Sequence, residues 1–154
     1  MKVVIASDHG GFEYKNLLLE TISQHGFEVS DLGAFNKSPS DYPDFAELVA
    51  TALLNNEAQK GILICGSGAG VSVAANKFKG IRACVCHDSY SAHQCVEHDN
   101  VNVLCIGERV IGIELAKEIV VAFLNANFSN EERHLRRFNK VNAIEAANFL
   151  PNKK

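Results

Sequence analysis

The sequence has 154 residues, of which 47% are hydrophobic and 21% charged, with a formal net charge of −3 at pH 7. This balance is typical of one globular domain, and a negative charge argues against a nucleic-acid surface, which would be basic. The apolar run near the amino terminus is too short for a signal peptide or a membrane span, so we expect a cytoplasmic protein that binds neither nucleic acid nor membrane.

Short apolar runs predict five strands, in chain order 3–6, 27–32, 62–65, 83–86 and 103–106. They are rich in β-branched residues and mostly lack polar alternation, as is typical of strands covered on both faces. Helical patterns lie between and after them, at about 12–25, 43–56, 70–78, 89–97, 112–126 and 131–148. Gly26 suits the end of the first helix and Pro43 the start of the second. The sequence predicts one α/β domain over 1–154, a doubly wound (Rossmann-like) sheet of five parallel strands with helices on both faces.

Polar side chains follow several of these strands, at the sheet edge where ligands bind in such folds. Asp8 and His9 follow the first strand, although Asp8 also suits a helix N-cap. We expect these groups to gather at the carboxyl edge of the sheet, next to the long irregular segment 33–43. The other members of the expected group are His87, Asp88, His98, Asp99 and Arg109.

The stretch CGSGAG (residues 65–70, here the glycine loop) follows the third strand. Its spacing matches neither the dinucleotide fingerprint nor the P-loop. Amides from Gly66 to Gly70, next to a helix N-terminus, would stabilise an oxyanion and favour the ionised form of Cys65. A thiolate base beside an oxyanion hole suits proton abstraction from carbon next to a carbonyl. The alternative is that Cys65 simply ends a buried strand, and the residue pattern leaves both interpretations open.

Other titratable residues also allow two interpretations. Asp88 lies about 20 residues beyond the glycine loop, as a ribose-binding acid would, which is the one feature favouring a dinucleotide. Arg133 and Arg137 share a helix face and form either a solvated surface or a phosphate-binding pair.

The cysteines do not predict a framework of disulfide bonds. There are five of them, and the odd count without a framework spacing argues against structural disulfides. Cys84 and Cys86 would share a strand face, and all but Cys65 are best explained as small buried apolar residues. No Cys/His spacing indicates a zinc site, so we expect no metal.

Several segments together resemble the type B ribose-5-phosphate isomerase family, which includes the galactose-6-phosphate isomerase subunits. The resemblance spans nearly the whole chain and is most specific in the glycine loop and the AANK that follows it. It implies a cofactor-free aldose–ketose isomerase that acts on a sugar phosphate and assembles as a dimer or tetramer. The segments are ASDHGG (6–11), SDYPDFA (40–46), GILICGSGAGVSVAANKFKGIRA (61–83), YSA (90–92), EH (97–98), NVLCIGERVIG (102–112), ELAKEIV (114–120) and RHLRR (133–137).

The resemblance also implies roles for individual residues. Cys65 would be the base and His98 the acid that opens the sugar ring. Tyr42 would line the sugar pocket. Sugar hydroxyls and the enediolate would contact Asp8, Gly66, Ser67, Gly68, Ala69, Gly70 and, at the position of the family's asparagine, Asp99. Phosphate would be bound by His9, Arg109, Arg133 and Arg137, some of them from a second subunit, with the last helix (131–148) also forming subunit contacts.

The chain departs from the family pattern at a few of these positions. Asp99 replaces an asparagine, and a carboxylate accepts hydrogen bonds but cannot donate them. Glu131 and Glu132 replace glycines that commonly precede Arg133, and Ser67 conservatively replaces threonine. The expected substrate is ribose 5-phosphate, with a six-carbon sugar such as galactose or allose 6-phosphate as the alternative. An alternative of another class is a non-catalytic nucleotide-binding module.

Overall fold

The structure is a computed structural model that describes residues 1–149, so the last five residues of the predicted domain lie outside the described part. Every predicted strand and helix is present, with ends that shift by no more than a few residues. The elements in chain order are β1 Lys2–Ser7, α1 Phe12–Gln24, β2 Glu28–Asp31, α2 Tyr42–Leu54, β3 Lys60–Cys65, α3 Ala69–Ala75, β4 Ala83–Val85, α4 Ser89–Asp99, β5 Val103–Gly107, α5 Ile113–Asn125 and α6 Glu132–Asn148.

The five strands form one parallel sheet in the order β2-β1-β3-β5-β4. The doubly wound prediction is therefore confirmed. β5 inserts between β3 and β4, which leaves the short β4 at an edge. In the β3–β5 register Gly61 pairs with Val103 and Cys65 with Gly107, so the carboxyl ends of β3 and β5 lie side by side.

Each strand alternates its side chains between two cores, because successive residues of a strand point to opposite faces. Val3 and Ile5 join the core under α1, α4 and α5, whereas Val4 and Ala6 join the core under α2 and α3. Helices therefore cover both faces, as predicted. The helix ends also follow the sequence signals: Gly26 has a positive φ of 81° just after α1, and Pro43 lies in the first turn of α2.

The last helix is an exception to this layered packing. Of its seventeen residues only His134 is buried, and Val141 and Ile144 remain 53% and 65% exposed. Among the helices and strands, it packs mainly against α4. A helix that buries so little of itself gains little stability from tertiary packing within its own chain. In the described residues, no helix combines the length and apolar character needed to cross a membrane.

Candidate active site

Cys65 is the last residue of β3 and lies at the carboxyl edge of the sheet, only 5% exposed. Its Sγ accepts a hydrogen bond of 3.1 Å from the backbone N–H of Gly68. Gly68 has a φ of +78°, and a Cβ there would lie 2.9 Å from the carbonyl carbon of Ile106. Only glycine therefore lets the loop turn its amide back onto the sulfur.

The glycine loop uses its amides differently from the sequence-based expectation. The Gly68 amide is directed at sulfur, and the Ala69 amide donates to Ser67 Oγ at 3.3 Å. These two members of the predicted oxyanion-binding set are bonded within the loop. The loop packs directly against the end of β5. A Cβ at Gly107 would lie 2.6 Å from the carbonyl carbon of Ser67, so a side chain at this position would collide with the loop backbone.

A cavity of about 400 Å³ opens above Cys65. Tyr42 forms one wall, since a Cβ on Gly70 would lie 3.0 Å from its ring carbon Cζ. Arg109 forms another, with its guanidinium carbon 3.5 Å from where a Gly66 Cβ would be. The predicted residues that line the cavity are Asp8, Tyr42, Cys65, Gly66, Ser67, Gly70 and Arg109, with Val110 added by the structure.

Asp8 is buried at the cavity wall with 7% exposure. Its Oδ1 accepts a 2.8 Å bond from the Gly10 amide, which shapes the turn after β1. The N-cap of α1 is Gly11, so the alternative N-cap role for Asp8 is wrong. A carboxylate fixed by the backbone two residues on, and facing a cavity, is suited to accepting a ligand hydroxyl.

His9 lies next to Asp8 and is fixed by the long segment that the sequence singled out. Its amide donates to Ser40 Oγ at 3.1 Å, and its ring Nδ1 contacts the Ser40 backbone. The start of the same segment is anchored by Asp31, which accepts from the Gly33 amide and from the fully buried Lys15. Ser40 was missed by sequence reasoning, which singled out the segment but not the residue.

Two further residues at this edge have structural partners. His87 Nε2 accepts a 3.0 Å hydrogen bond from the Gly107 amide. Asp88 caps α4 by accepting a 2.7 Å bond from the Ser91 amide, which lowers the pKa of that carboxyl. The one residue that favoured a dinucleotide is thus occupied as the N-cap of α4.

His98 and Asp99 do not lie at the carboxyl edge, and that part of the sequence-based expectation is wrong. The helix α4 runs antiparallel to the strands, so its last residues return to the amino end of β5. Four residues separate this level from that of Cys65, or about 13 Å at a rise of about 3.3 Å per residue. Within one chain His98 and Cys65 are therefore on opposite edges of the sheet.

The His98 ring has defined neighbours. Gln94 Nε2 donates to its Nδ1 at 2.9 Å, so the proton of the neutral ring is on Nε2. His134 stacks on it with ring centroids 4.0 Å apart. Burial and the nearby His98 and Arg133 lower the pKa of His134, which also contacts Ser129 Oγ at 2.7 Å. Gln94 was missed by sequence reasoning, although its spacing four residues before His98 on a helix was the available signal.

The remaining predicted residues lie with His98 on α4 and α6. Arg133 is exposed, and its Nε donates to Glu131 Oε2 at 2.9 Å. Arg137 and Asp99 line a second cavity of about 460 Å³ with Arg82 and Phe138. The predicted site residues thus form two groups: one around Cys65, with Asp8, His9, Tyr42, the glycine loop and Arg109, and one around His98, with Asp99, Arg133 and Arg137.

Comparison with known proteins gives one consistent result. The profile of the ribose/galactose isomerase family matches residues 3–141. Ribose-5-phosphate isomerase B of Escherichia coli is 45% identical over 144 residues, covering 94% of this chain and 96% of that protein. D-erythrulose-4-phosphate isomerase 2 of Mycolicibacterium smegmatis is 39% identical over 150 residues, covering 96% and 99%. The structure of ribose-5-phosphate isomerase B of Clostridium thermocellum matches with a TM-score of 0.92 and 45% identity, covering 96% of this chain and 99% of that one.

Proposed function

This chain belongs to the ribose/galactose isomerase family, and on that premise we propose that it interconverts ribose 5-phosphate and ribulose 5-phosphate. The observation that carries the proposal is the position of Cys65. This residue lines a cavity, and its sulfur accepts a hydrogen bond from the Gly68 amide. We assign the reaction to the pentose phosphate pathway and the protein to the cytoplasm, with no cofactor or metal in the reaction.

The chemistry follows from the two groups of residues. His98, with its proton on Nε2, donates to the ring oxygen as the sugar ring opens. The Cys65 thiolate then removes the proton from C2, and the electrons move into a C1–C2 enediolate. A proton passes from the C2 oxygen to the C1 oxygen, and the proton held by Cys65 returns at C1. Asp8 accepts a sugar hydroxyl, Tyr42 bounds the sugar, and the loop Gly66, Ser67, Gly68, Ala69 and Gly70 surrounds the reacting carbons. His9, Arg109, Arg133 and Arg137 bind the phosphate, for which guanidinium groups are well suited.

This assignment requires a second copy of the chain. Cys65 and His98 lie on opposite edges of one sheet, too far apart to act on the same sugar carbon atoms. The exposed apolar residues of α6 also favour a second copy of the chain, because a partner would bury Val141 and Ile144. We therefore propose a homodimer, or a tetramer built from it, in which each site combines Cys65 of one chain with His98 of the other.

The length of the sugar is the remaining choice for the substrate. A relative named for D-erythrulose 4-phosphate shows that the family accommodates more than one sugar phosphate. The six-carbon alternative, galactose or allose 6-phosphate, would need a longer pocket between the two groups of residues. A product assay with all these sugar phosphates decides among them, and ribose 5-phosphate should give the highest kcat/KM.

The nucleotide-binding alternative has lost its main support, because Asp88 caps α4.

The test of the base is the Cys65→Ala variant. Because a general base contributes about 10²–10⁴-fold to a rate, kcat should fall by that factor with little change in melting temperature. Cys105→Ala is the matched control, since Cys105 is buried on β5 two residues from the Cys65 partner Gly107. Near-full turnover by Cys65→Ala would remove the proposed base, while ribulose 5-phosphate formation by the wild type would still support the reaction itself.

A further inference from the structure

Three cysteines outside the proposed active site meet where α4 crosses the edge of the sheet. Cys84 and Cys86 lie two residues apart on and just after β4, and Cys95 lies on the inner face of α4. Their three Sγ atoms are all within 4.8 Å of one another, and the Cys86–Cys95 separation is 3.9 Å. Among the described residues, this is the one cluster of three such groups that could hold a metal ion.

We propose that Cys84, Cys86 and Cys95 form a binding site for one thiophilic metal ion of the Zn²⁺ or Cu⁺ class. A metal–sulfur distance of about 2.3 Å places thiolates about 3.8–4.0 Å apart in tetrahedral or trigonal geometry. The observed sulfur separations reach this range with shifts of about 1 Å or less. Thiolate ligands select soft ions over Mg²⁺ or Ca²⁺, which bind oxygen.

The hydrogen bonds of the cluster leave its sulfurs available to a cation. The Cys86 thiol donates to the Cys95 sulfur at 3.9 Å, and the Cys95 and Cys84 thiols donate to the carbonyls of Ala92 and Val85 at 3.4 and 3.7 Å. These bonds are long and involve thiol hydrogens alone. A metal ion would replace the thiol protons and bridge all three sulfurs, as metal binding to thiols releases protons.

The surrounding elements fix the positions of these sulfurs. The Cys86 amide donates to the Cys105 carbonyl on β5, which ties the end of β4 to the sheet. The N-terminus of α4 is capped by Asp88, and Cys95 lies two turns further along. Cys84 is only partly buried, whereas Cys86 and Cys95 are buried. An ion can therefore enter past Cys84, and solvent can supply a fourth ligand from that side, as a tetrahedral ion requires.

The test uses the full-length protein, reduced and stripped of metal. Zn²⁺ is titrated in competition with a chromophoric chelator, and Cd²⁺ is added separately to record thiolate-to-metal charge-transfer absorption. We expect one Zn²⁺ per chain, a Cd²⁺ absorption typical of several thiolates, and a higher melting temperature with Zn²⁺. Cys84→Ser and Cys95→Ser should each weaken Zn²⁺ binding at least about tenfold, because each removes a direct ligand.

Two control variants isolate the cluster from the other thiols. Cys65→Ala removes the active-site sulfur, and Cys105→Ala removes a buried sulfur that belongs to the core on the opposite face of the sheet. Both should bind Zn²⁺ as the wild type does. Wild-type affinity in a Cys84→Ser/Cys95→Ser double variant, loss of binding in Cys65→Ala, or no binding by the reduced wild type would overturn the proposal. If Cys95→Ser does not fold, Cys84→Ser decides, because its side chain is only partly buried.

Discussion

At the level of single residues, Cys65 differs from the other cysteines in what surrounds its sulfur. A backbone N–H donates to Cys65 Sγ at the wall of a cavity. Cys105, two residues before the end of the neighbouring strand β5, is fully buried, and this burial raises the pKa of its thiol. Two sulfurs one strand apart thus have different surroundings, because one accepts a backbone N–H beside a cavity and the other is enclosed in the core.

Arg133 is the residue at which the departure from the family pattern has a visible consequence. Glu131, which replaces a glycine, accepts its guanidinium hydrogen bond. In the proposed role of Arg133, a phosphate would have to displace that carboxylate before the guanidinium could bind it. An exposed ion pair is worth up to about 1 kcal/mol, so Glu131→Ala should lower KM for ribose 5-phosphate by up to about fivefold, with kcat unchanged. Steady-state kinetics at constant ionic strength measures this.

The neighbouring Glu132→Ala is the matched control, because it changes the net charge equally and lies one residue further along the chain. It should leave KM within the error of the wild-type value. If both variants lower KM to the same extent, the effect is one of general charge, and the Glu131–Arg133 contact does not compete with phosphate.

At the level of elements, the strands could be predicted because each is a short run of buried residues between turn signals. β3, for example, is buried along its whole length from Lys60 to Cys65. The order of the strands could not be predicted, since nothing local places β5 between β3 and β4. Two further features could not be predicted, and the direction of α4 explains both. This helix carries His98 to the amino end of the strands, and it brings Cys95 next to Cys84 and Cys86. When two elements pack together, the residues that meet are not marked by any regular spacing in the sequence.

The junction between β3 and α5 carries a testable pH dependence. Lys60 is buried, and its Nζ donates to the carbonyls of Phe123, Leu124 and Ala126 at the end of α5. Burial lowers the pKa of Lys60 to about 8. In the unfolded chain a lysine titrates near about 10.4, so between the two values the unfolded state binds more protons. The contribution of Lys60 to stability should therefore increase as pH rises from about 8 to about 10.

Urea unfolding of the wild type and of Lys60→Met across this pH range measures the effect. The difference in the free energy of unfolding between the two proteins should shift in favour of the wild type as pH rises. A flat or falling difference would mean that the three carbonyl acceptors stabilise the ammonium enough to cancel the effect of burial.

At the level of the whole molecule, the distribution of residues between the two edges of the sheet determines what one chain can do. The group at the carboxyl edge has the proposed base and the cavity proposed for the sugar, and the group on α4 and α6 has the proposed acid and two arginines. Neither group is sufficient for the proposed reaction. The nearly unburied α6 carries Arg133 and Arg137, so the same contact that would bury its apolar residues would also deliver its arginines.

This arrangement predicts that two inactive variants restore activity when mixed. Cys65→Ala and His98→Ala should each be inactive alone. After joint unfolding and refolding at equal amounts, half of the dimers are mixed, and each mixed dimer has one site with both residues intact, so about a quarter of wild-type activity should return. Cys65→Ala that is unfolded and refolded alone, at the same total concentration, should remain inactive. If each chain built its own complete site, the mixed dimer would contain only sites that lack one residue, and no activity would return however efficiently the chains exchanged.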